Sequence, residues 1–298
     1  MNNGKQPMTN DPRKSGQMPP FPAQEQQSPG TEAEMSPKPD HGEQSYVGHG
    51  KLKDRVALIT GADSGIGRAV ALAFAREGAD IAIGYLNEDD DARQTERLVR
   101  EAGRRALLVR GDITDDGFCR ELVQKTVDEL GRIDILVNNA AYQGKEVENF
   151  EEIDAERVRR TLLTNIGGMF SLSRYAVPHM QAGGAIINTA SINAYQPTPA
   201  ILDYASTKGA IVTFTKGLGQ ELAKRGIRVN AVAPGPVWTP LIVQSFQGEK
   251  VKSFGTSTPL GRPAQPADLA PAYVFLASDD SRFMTGEVIG LTGGELMG

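Results

Sequence analysis

The sequence predicts an α/β fold in which helices cover both faces of a parallel, doubly wound sheet. Three observations support this prediction. Short runs of Val, Ile and Leu alternate with helical patterns from residue 51 to residue 298. A glycine-rich turn separates the first apolar run from the first helical pattern. No repeat and no second change in composition follows residue 50, so we expect residues 51–298 to form a single domain.

Seven apolar runs are the strand candidates, and six helical patterns lie between or after them. Runs this short and this rich in Val and Ile suit strands that are buried on both faces of a parallel sheet, joined by right-handed crossovers. The predicted strands are 56–60, 81–85, 106–110, 133–138, 185–190, 228–233 and 288–291. The predicted helices are 65–77, 91–102, 115–130, 154–179, 204–224 and 267–277.

Residues 1–50 differ in composition from the rest of the chain. They hold eight of the eighteen prolines, and apart from Met their only large apolar side chains are Phe21, Tyr46 and Val47. Because such a segment buries too little apolar surface to offset its ordering entropy, we expect an extended arm that is disordered in isolation. It is either a passive leader or an arm that docks, through these three residues, on the body or on a neighbouring subunit.

Charge and composition exclude several classes of protein. A net charge of −5 and a pI near 5.4 argue against nucleic acid as a partner. No apolar run is long enough to span a membrane and no secretory signal is recognisable, so we expect no membrane partner and a cytoplasmic location. One cysteine, Cys119, and three scattered histidines predict no metal site.

The glycine-rich turn, residues 60–67, reads Thr-Gly-Ala-Asp-Ser-Gly-Ile-Gly. Gly61 permits the tight turn, while Gly65 and Gly67 let the backbone approach a pyrophosphate at the positive end of the following helix. The turn therefore predicts a dinucleotide site. Its spacing is not the commoner G-x-G-x-x-G, and an ordinary strand-to-helix turn remains the alternative if this motif is considered alone.

A second motif predicts proton transfer. Lys208 follows Tyr204 by four residues, which places both side chains on one face of a helix, and Ser191 precedes the tyrosine by thirteen residues. A nearby ammonium group lowers a phenol pKa, so Tyr204 can exchange a proton with an alcohol or carbonyl oxygen that Ser191 also holds. Hydride then passes to or from a nicotinamide. A half-buried tyrosine beside a solvated lysine is the structural alternative.

Together these motifs resemble the NAD(P)-dependent short-chain dehydrogenases/reductases, and the resemblance covers residues 51–298. Residues 138–140 are similar to the family's Asn-Asn-Ala-Gly segment, with Ala141 in place of the glycine, and residues 234–235 to its Pro-Gly turn. The sequence is most similar to bacterial glucose-dehydrogenase-like and aldehyde-reductase-like members that carry a Pro/Gln-rich N-terminal extension. The resemblance implies a Rossmann-type fold with seven strands, an active enzyme and a homotetramer.

The resemblance also assigns site residues. Asn165, Ser191, Tyr204 and Lys208 match the catalytic positions, where the asparagine and the lysine hold a proton-relay water. The implied cofactor contacts are Gly61, Ser64, Gly65, Ile66, Gly67, Asn87, Asp112, Ile113, Asn139, Ala140, Tyr204, Lys208, Pro234, Gly235, Val237 and Thr239.

Two features concern which dinucleotide binds. Asp112 occupies the position of a carboxylate that accepts from adenine, although an acid that caps the next helix would look the same. The second predicted strand ends in Tyr85 rather than an acid, and no arginine follows closely. The acidic residues 88–91 favour NAD because they repel a 2′-phosphate, whereas Ser64 or Asn87 could bind one, so NADP stays open.

Residues 237–261 match the family's substrate lid and give little information about the substrate. The segment contains Trp238, Leu241, Ile242, Phe246 and Phe254. Such a lid fits a small aldehyde, aldose, ketone or secondary alcohol, and it equally fits ordinary packing. Two alternative functions were considered: a catalytically silent nucleotide-binding sensor or scaffold, and a reductase acting on acyl-carrier-protein substrates, which calls for a basic docking patch.

Overall fold

The computed structural model describes residues 11–298, and its centre is a parallel sheet of seven strands. The strands are β1 Val56–Thr60, β2 Asp80–Tyr85, β3 Ala106–Arg110, β4 Ile135–Asn138, β5 Ala185–Thr189, β6 Arg228–Pro234 and β7 Val288–Leu291. Their spatial order is β3-β2-β1-β4-β5-β6-β7, and all six pairings are parallel. The predicted fold class and its seven strands are confirmed.

Helices cover both faces of this sheet. The longer ones are α1 Gly65–Arg76, α2 Asp89–Glu101, α3 Asp116–Leu130, α4 Ala155–Leu162, α5 Gly168–Ala176, α6 Leu202–Ala223 and α9 Pro266–Ala277, and the short α7 Pro240–Ser245 and α8 Gly248–Lys252 precede α9. On one face, Phe74 of α1 and Tyr273 of α9 belong to one buried apolar cluster; on the other, Leu122 of α3 and Leu172 of α5 belong to a second. No helix among residues 11–298 is both long and apolar enough to cross a membrane.

The strand order reverses between β1 and β4, which creates a crevice at the carboxyl ends of these strands. Side chains tie the two strand ends together. The Thr60 hydroxyl oxygen accepts from the backbone amides of Asn139 and Ala140, both at 3.1 Å. In return, the Asn139 side-chain amide donates to the carbonyl oxygens of Thr60 and Gly61, also at 3.1 Å. The turns that follow both strands are therefore held at one place.

The predicted helix 154–179 is interrupted in the structure. A π-helical turn, Leu163–Gly167, lies between α4 and α5, and a 3₁₀ turn, Val177–His179, ends the segment. Single π turns inside helices often occur at functional sites because they rotate one side chain out of the regular pattern. Here the turn contains the buried Asn165, which the sequence singled out.

The arm is extended and packs on the body of its own chain from residue 11 onwards. Phe21 is buried and stacks on Trp238 with ring centroids 4.0 Å apart. Tyr46 donates from its hydroxyl to Glu77 at 2.6 Å. Val47, the third residue expected to anchor the arm, is instead 69% exposed. Disorder of the arm in isolation stays a prediction.

Candidate functional site

The crevice opens into a cavity of about 910 Å³. Its walls include the glycine-rich turn, the ends of β2 to β6, parts of α4 and α6, the lid, and residues 28–30 of the arm. Of the site residues assigned from the sequence, all except Gly67, Asn87 and Asn165 line it. The motifs that are separate in sequence therefore face one space.

The glycine-rich turn is packed too closely to carry side chains. A Cβ at Gly67 would lie 1.9 Å from the Gly61 carbonyl oxygen, so Gly67 lets α1 approach β1 without itself facing the cavity. Gly65 has φ +51°, a conformation that side chains disfavour, and a Cβ there would meet Thr239 of the lid at 3.1 Å. The amide of Ile66 follows at the positive end of α1, where a phosphate is bound favourably. The turn fits a dinucleotide pyrophosphate.

Ser191, Tyr204 and Lys208 converge at the ends of β5 and α6. All three are buried, and the Lys208 Nζ lies 5.2 Å from the centre of the Tyr204 ring. Lys208 also donates to the Thr189 carbonyl oxygen at 2.7 Å, which fixes its position. The arrangement matches the one expected from the four-residue spacing on a single helix.

The protonation of this group differs from the sequence-based expectation. Burial raises the pKa of the Tyr204 hydroxyl to about 12, against a smaller lowering by the Ser191 hydroxyl. Burial likewise lowers the pKa of the Lys208 ammonium to about 7. The direction of the Tyr204 pKa shift is therefore opposite to the expected lowering by lysine, because burial dominates, and four-residue spacing cannot reveal burial. The Tyr204 hydroxyl is therefore protonated at neutral pH.

Asn165 lies beside a smaller adjoining cavity rather than in the main one. Its side-chain oxygen accepts from the Tyr142 amide at 2.7 Å, and its nitrogen donates to the Tyr142 carbonyl and the Thr207 hydroxyl, both at 3.0 Å. These bonds connect the segment after β4 to helix α6. Asn165 is placed to hold the cavity wall in position.

Acidic side chains surround the end of the cavity beyond β2 and β3. Asp63 and Glu88 line it, whereas Asn87 is exposed and points elsewhere. Burial, followed by the charge of Glu88, raises the pKa of the Asp63 carboxyl to about 7. Asp112 also lines this end; it is not the helix cap, because the side chain that caps α3 belongs to Asp115.

The lid contributes both polar and apolar wall residues. Leu241, Ile242, Gln244, Phe246 and Phe254 face the cavity. Trp238 does not: it is fully buried against Phe21 of the arm, so of the two alternatives left open for the lid residues, ordinary packing applies to Trp238. Gln196, between Ser191 and Tyr204 in the sequence, also lines the cavity and donates from its side chain to the Leu296 carbonyl at 2.6 Å.

Sequence reasoning missed several wall residues. Asp63 was visible inside the glycine-rich turn, yet only its burial makes it unusual. Arg159 and Arg160 line the cavity from the end of α4, where a helical pattern reads as a solvated face. Residues 28–30 also line the cavity, and the proline-rich composition of the arm did not predict that contact.

Comparison with known proteins shows which family the chain is similar to. A family model described as "Enoyl-(Acyl carrier protein) reductase" matches residues 61–295. The chain is 48% identical to the glucose and ribitol dehydrogenase of Daucus carota over 284 residues, covering 93% of this chain and 97% of the relative. It is 46% identical to the chloroplastic NADPH-dependent aldehyde reductase 1 of Arabidopsis thaliana over 276 residues, covering 90% and 96%.

A solved structure gives the same comparison in three dimensions. The short-chain dehydrogenase from Mycobacterium paratuberculosis bound to NAD superposes with a TM-score of 0.75 at 32% identity. The match covers 82% of this chain and 98% of that one.

The raised pKa of Asp63 leads to a prediction about stability. Between about pH 4 and pH 7 the native state binds more protons than the unfolded state, so this group's contribution to stability is lost as pH rises through 7. Asp63→Asn cannot titrate. The free energy of unfolding of this variant, relative to wild type, should therefore be higher at pH 8 than at pH 5, by about 1–3 kcal/mol.

Urea denaturation at the two pH values measures this difference. Asp90→Asn is the matched control, because the Asp90 side chain is 95% exposed. If the free energies of unfolding of Asp63→Asn and wild type differ by the same amount at pH 5 and pH 8, the pKa of Asp63 is not raised.

Proposed function

Because the chain belongs to the short-chain dehydrogenase/reductase family, we propose that it interconverts a small polar carbonyl compound and its alcohol, with Tyr204 as the general acid/base. Members of this family are NAD(P)-dependent oxidoreductases, and this chain is one. One observation carries the proposal: the buried Ser191, Tyr204 and Lys208 face the same cavity as the glycine-rich turn.

The residues divide the chemical work as follows. The nicotinamide cofactor supplies or accepts the hydride when it is bound. Tyr204, protonated at neutral pH, donates its proton to the carbonyl oxygen during reduction, while the Ser191 hydroxyl holds the same oxygen by a hydrogen bond. Lys208, when charged, stabilises the phenolate that remains. Asn165 keeps the segment around Tyr142 in register with α6 and so keeps the cavity open beside Tyr204.

The substrate end of the cavity combines hydrogen-bonding and apolar groups. Arg160 stacks over the Tyr142 ring at 4.2 Å, and Gln196 and Gln244 add polar atoms. Phe246 and Phe254 cover the other side. Such a wall suits a small hydroxylated aldehyde or an aldose, which fits the names of the dehydrogenase and reductase relatives.

We further propose a preference for NAD over NADP. Among the described residues that line the cavity, the basic ones are Arg159, Arg160 and Lys208, all on the substrate side. The opposite end presents Asp63 and Glu88 instead. A 2′-phosphate there meets carboxylates and no cation, whereas a ribose hydroxyl can donate to them. One relative is NADPH-dependent by name, which does not favour NAD. The proposed preference for NAD therefore rests on Asp63 and Glu88 alone.

Assembly is also proposed, as a homotetramer. Leu162 and Phe170 of the α4–α5 segment are 47% and 54% exposed, and Phe170 packs on Phe214 of α6 with ring centroids 4.4 Å apart. Exposed apolar side chains on neighbouring helices suit a contact across a two-fold axis.

We also propose that the protein is located in the cytoplasm. Its single cysteine, Cys119, fits a reducing compartment, and cell fractionation tests this location.

The helix contact predicts a change in mass. Phe170→Asp should shift the protein from tetramer to smaller species in sedimentation equilibrium, because it places a charge in an apolar contact. Phe150→Asp, at a residue 69% exposed outside these helices, is the control. An unchanged tetramer in the Phe170 variant places the interface elsewhere.

The assigned mechanism predicts separate effects on binding and turnover. Tyr204→Phe removes the proton donor but keeps the ring, so turnover should fall by about a hundredfold or more while dinucleotide affinity persists. Steady-state kinetics with an aldehyde and aldose panel, beside fluorescence titration of the reduced dinucleotide, measures both. Tyr175→Phe, on α5, is the control. Near-normal turnover of Tyr204→Phe refutes the mechanism.

The acidic end of the cavity predicts cofactor choice. The wild-type enzyme should show a higher kcat/KM with NADH than with NADPH, because Glu88, together with the ionised fraction of Asp63, repels the 2′-phosphate. Glu88→Gln should raise kcat/KM with NADPH and so reduce the ratio of kcat/KM with NADH to kcat/KM with NADPH. Equal or better use of NADPH by the wild type contradicts this assignment.

A further inference from the structure

The N-terminal arm contacts two parts of the cavity wall that are far apart in sequence, the lid and the glycine-rich turn. On the lid side, the Gln26 amide donates to the Val243 carbonyl at 3.0 Å, and the Gly30 amide donates to the Gln244 side chain at 2.6 Å. Gln244 itself lines the cavity. The arm therefore bonds to the lid helix α7 at Val243 and at the cavity-lining Gln244.

Two residues further along, the arm reaches the glycine-rich turn. The Glu32 carboxylate accepts from the Gly65 amide at 2.7 Å and forms an ion pair with Arg68. Arg68 in turn donates to the Asp63 carbonyl oxygen at 2.6 Å. Both charged side chains are buried. Arg68 thus fixes the start of the segment 63–65 and Glu32 fixes its end, and neither of these two side chains lines the cavity.

The surroundings keep Glu32 charged. Its backbone amide donates to Asp91 at 2.9 Å, and His41 bonds to its carboxylate at 2.7 Å. Burial by itself raises the pKa of the Glu32 carboxyl, but His41 and Arg68 bring that pKa below its usual value. A buried carboxylate with this many partners is held in a single geometry.

The contact with Gly65 has a consequence for dinucleotide binding. Gly65 opens α1 and its amide is satisfied by Glu32, whereas the next residue, Ile66, lines the cavity and follows at the positive end of the helix. Glu32 does not itself line the cavity. Its carboxylate therefore shapes the pyrophosphate turn without competing for the same space as the phosphate.

We propose that Glu32 is a positioning residue for the dinucleotide and that the arm couples the pyrophosphate turn to the substrate lid within one chain. The proposal rests on the assigned cofactor site. Loss of the Glu32 carboxylate should loosen residues 63–66 and weaken dinucleotide binding, while the proton-transfer group around Tyr204, which lies on other elements, keeps its geometry. The effect should therefore appear in the dinucleotide KM and Kd and not in kcat.

The first test compares two glutamates of one 3₁₀ turn, Glu32–Glu34. Glu32→Gln keeps the side-chain size but removes the charge; we expect about a tenfold weaker Kd for NADH in fluorescence titration, with kcat within about twofold of wild type. Glu34→Gln, at an exposed position, should match wild type in both. A lower melting temperature for Glu32→Gln with unchanged Kd makes the role purely structural and overturns the proposal.

The second test uses the wild-type protein and is independent of how the variant folds. Saturating NADH should slow hydrogen–deuterium exchange in peptides covering residues 31–41, which do not line the cavity, as well as in residues 60–68. Protection of residues 60–68 alone overturns the coupling but leaves the cofactor site intact. If neither segment is protected and no NADH binds, the proposed cofactor site itself is wrong.

Discussion

The close approach of the turn after β1 to the end of β4 is the constraint on which the rest of the site depends. Gly67 leaves room for the Gly61 carbonyl oxygen, and Thr60 and Asn139 bond reciprocally across the strand ends. Because the strand order reverses at this point, the turns diverge and leave a crevice between them. The start of α1, the ends of β5 and β6 and the lid then face one cavity, which brings the dinucleotide turn and Tyr204 together.

Burial sets the electrostatic character of this cavity more than charge pairing does. It raises the pKa of Tyr204 to about 12 and lowers the pKa of Lys208 to about 7, so burial favours the uncharged form of both side chains. It also raises the pKa of Asp63 to about 7 at the opposite end. Glu32 shows the contrast: equally buried, it stays charged because Arg68 and His41 compensate its desolvation.

Local patterns in the sequence predicted the sheet well and the irregular segments poorly. The predicted strands 56–60, 106–110 and 288–291 have the observed bounds, because a short buried apolar run leaves few alternatives. The π turn around Asn165 was not predictable, since the apolar period continues through it. Phe21 stood out in the sequence as a possible docking residue of the arm, but its partner Trp238 and the ion pair of Glu32 with Arg68 join residues far apart in sequence, and composition does not identify such partners.

We propose that one cavity holds the whole dinucleotide, with its nicotinamide ring beside Tyr204. A crystal structure of the protein grown with NADH tests it most directly. The account predicts the pyrophosphate at the amide of Ile66, the adenosine ribose near Asp63, and the nicotinamide ring facing the hydroxyls of Tyr204 and Ser191. A dinucleotide bound outside this cavity, or one reversed so that the nicotinamide lies beside Asp63 and Glu88, contradicts it.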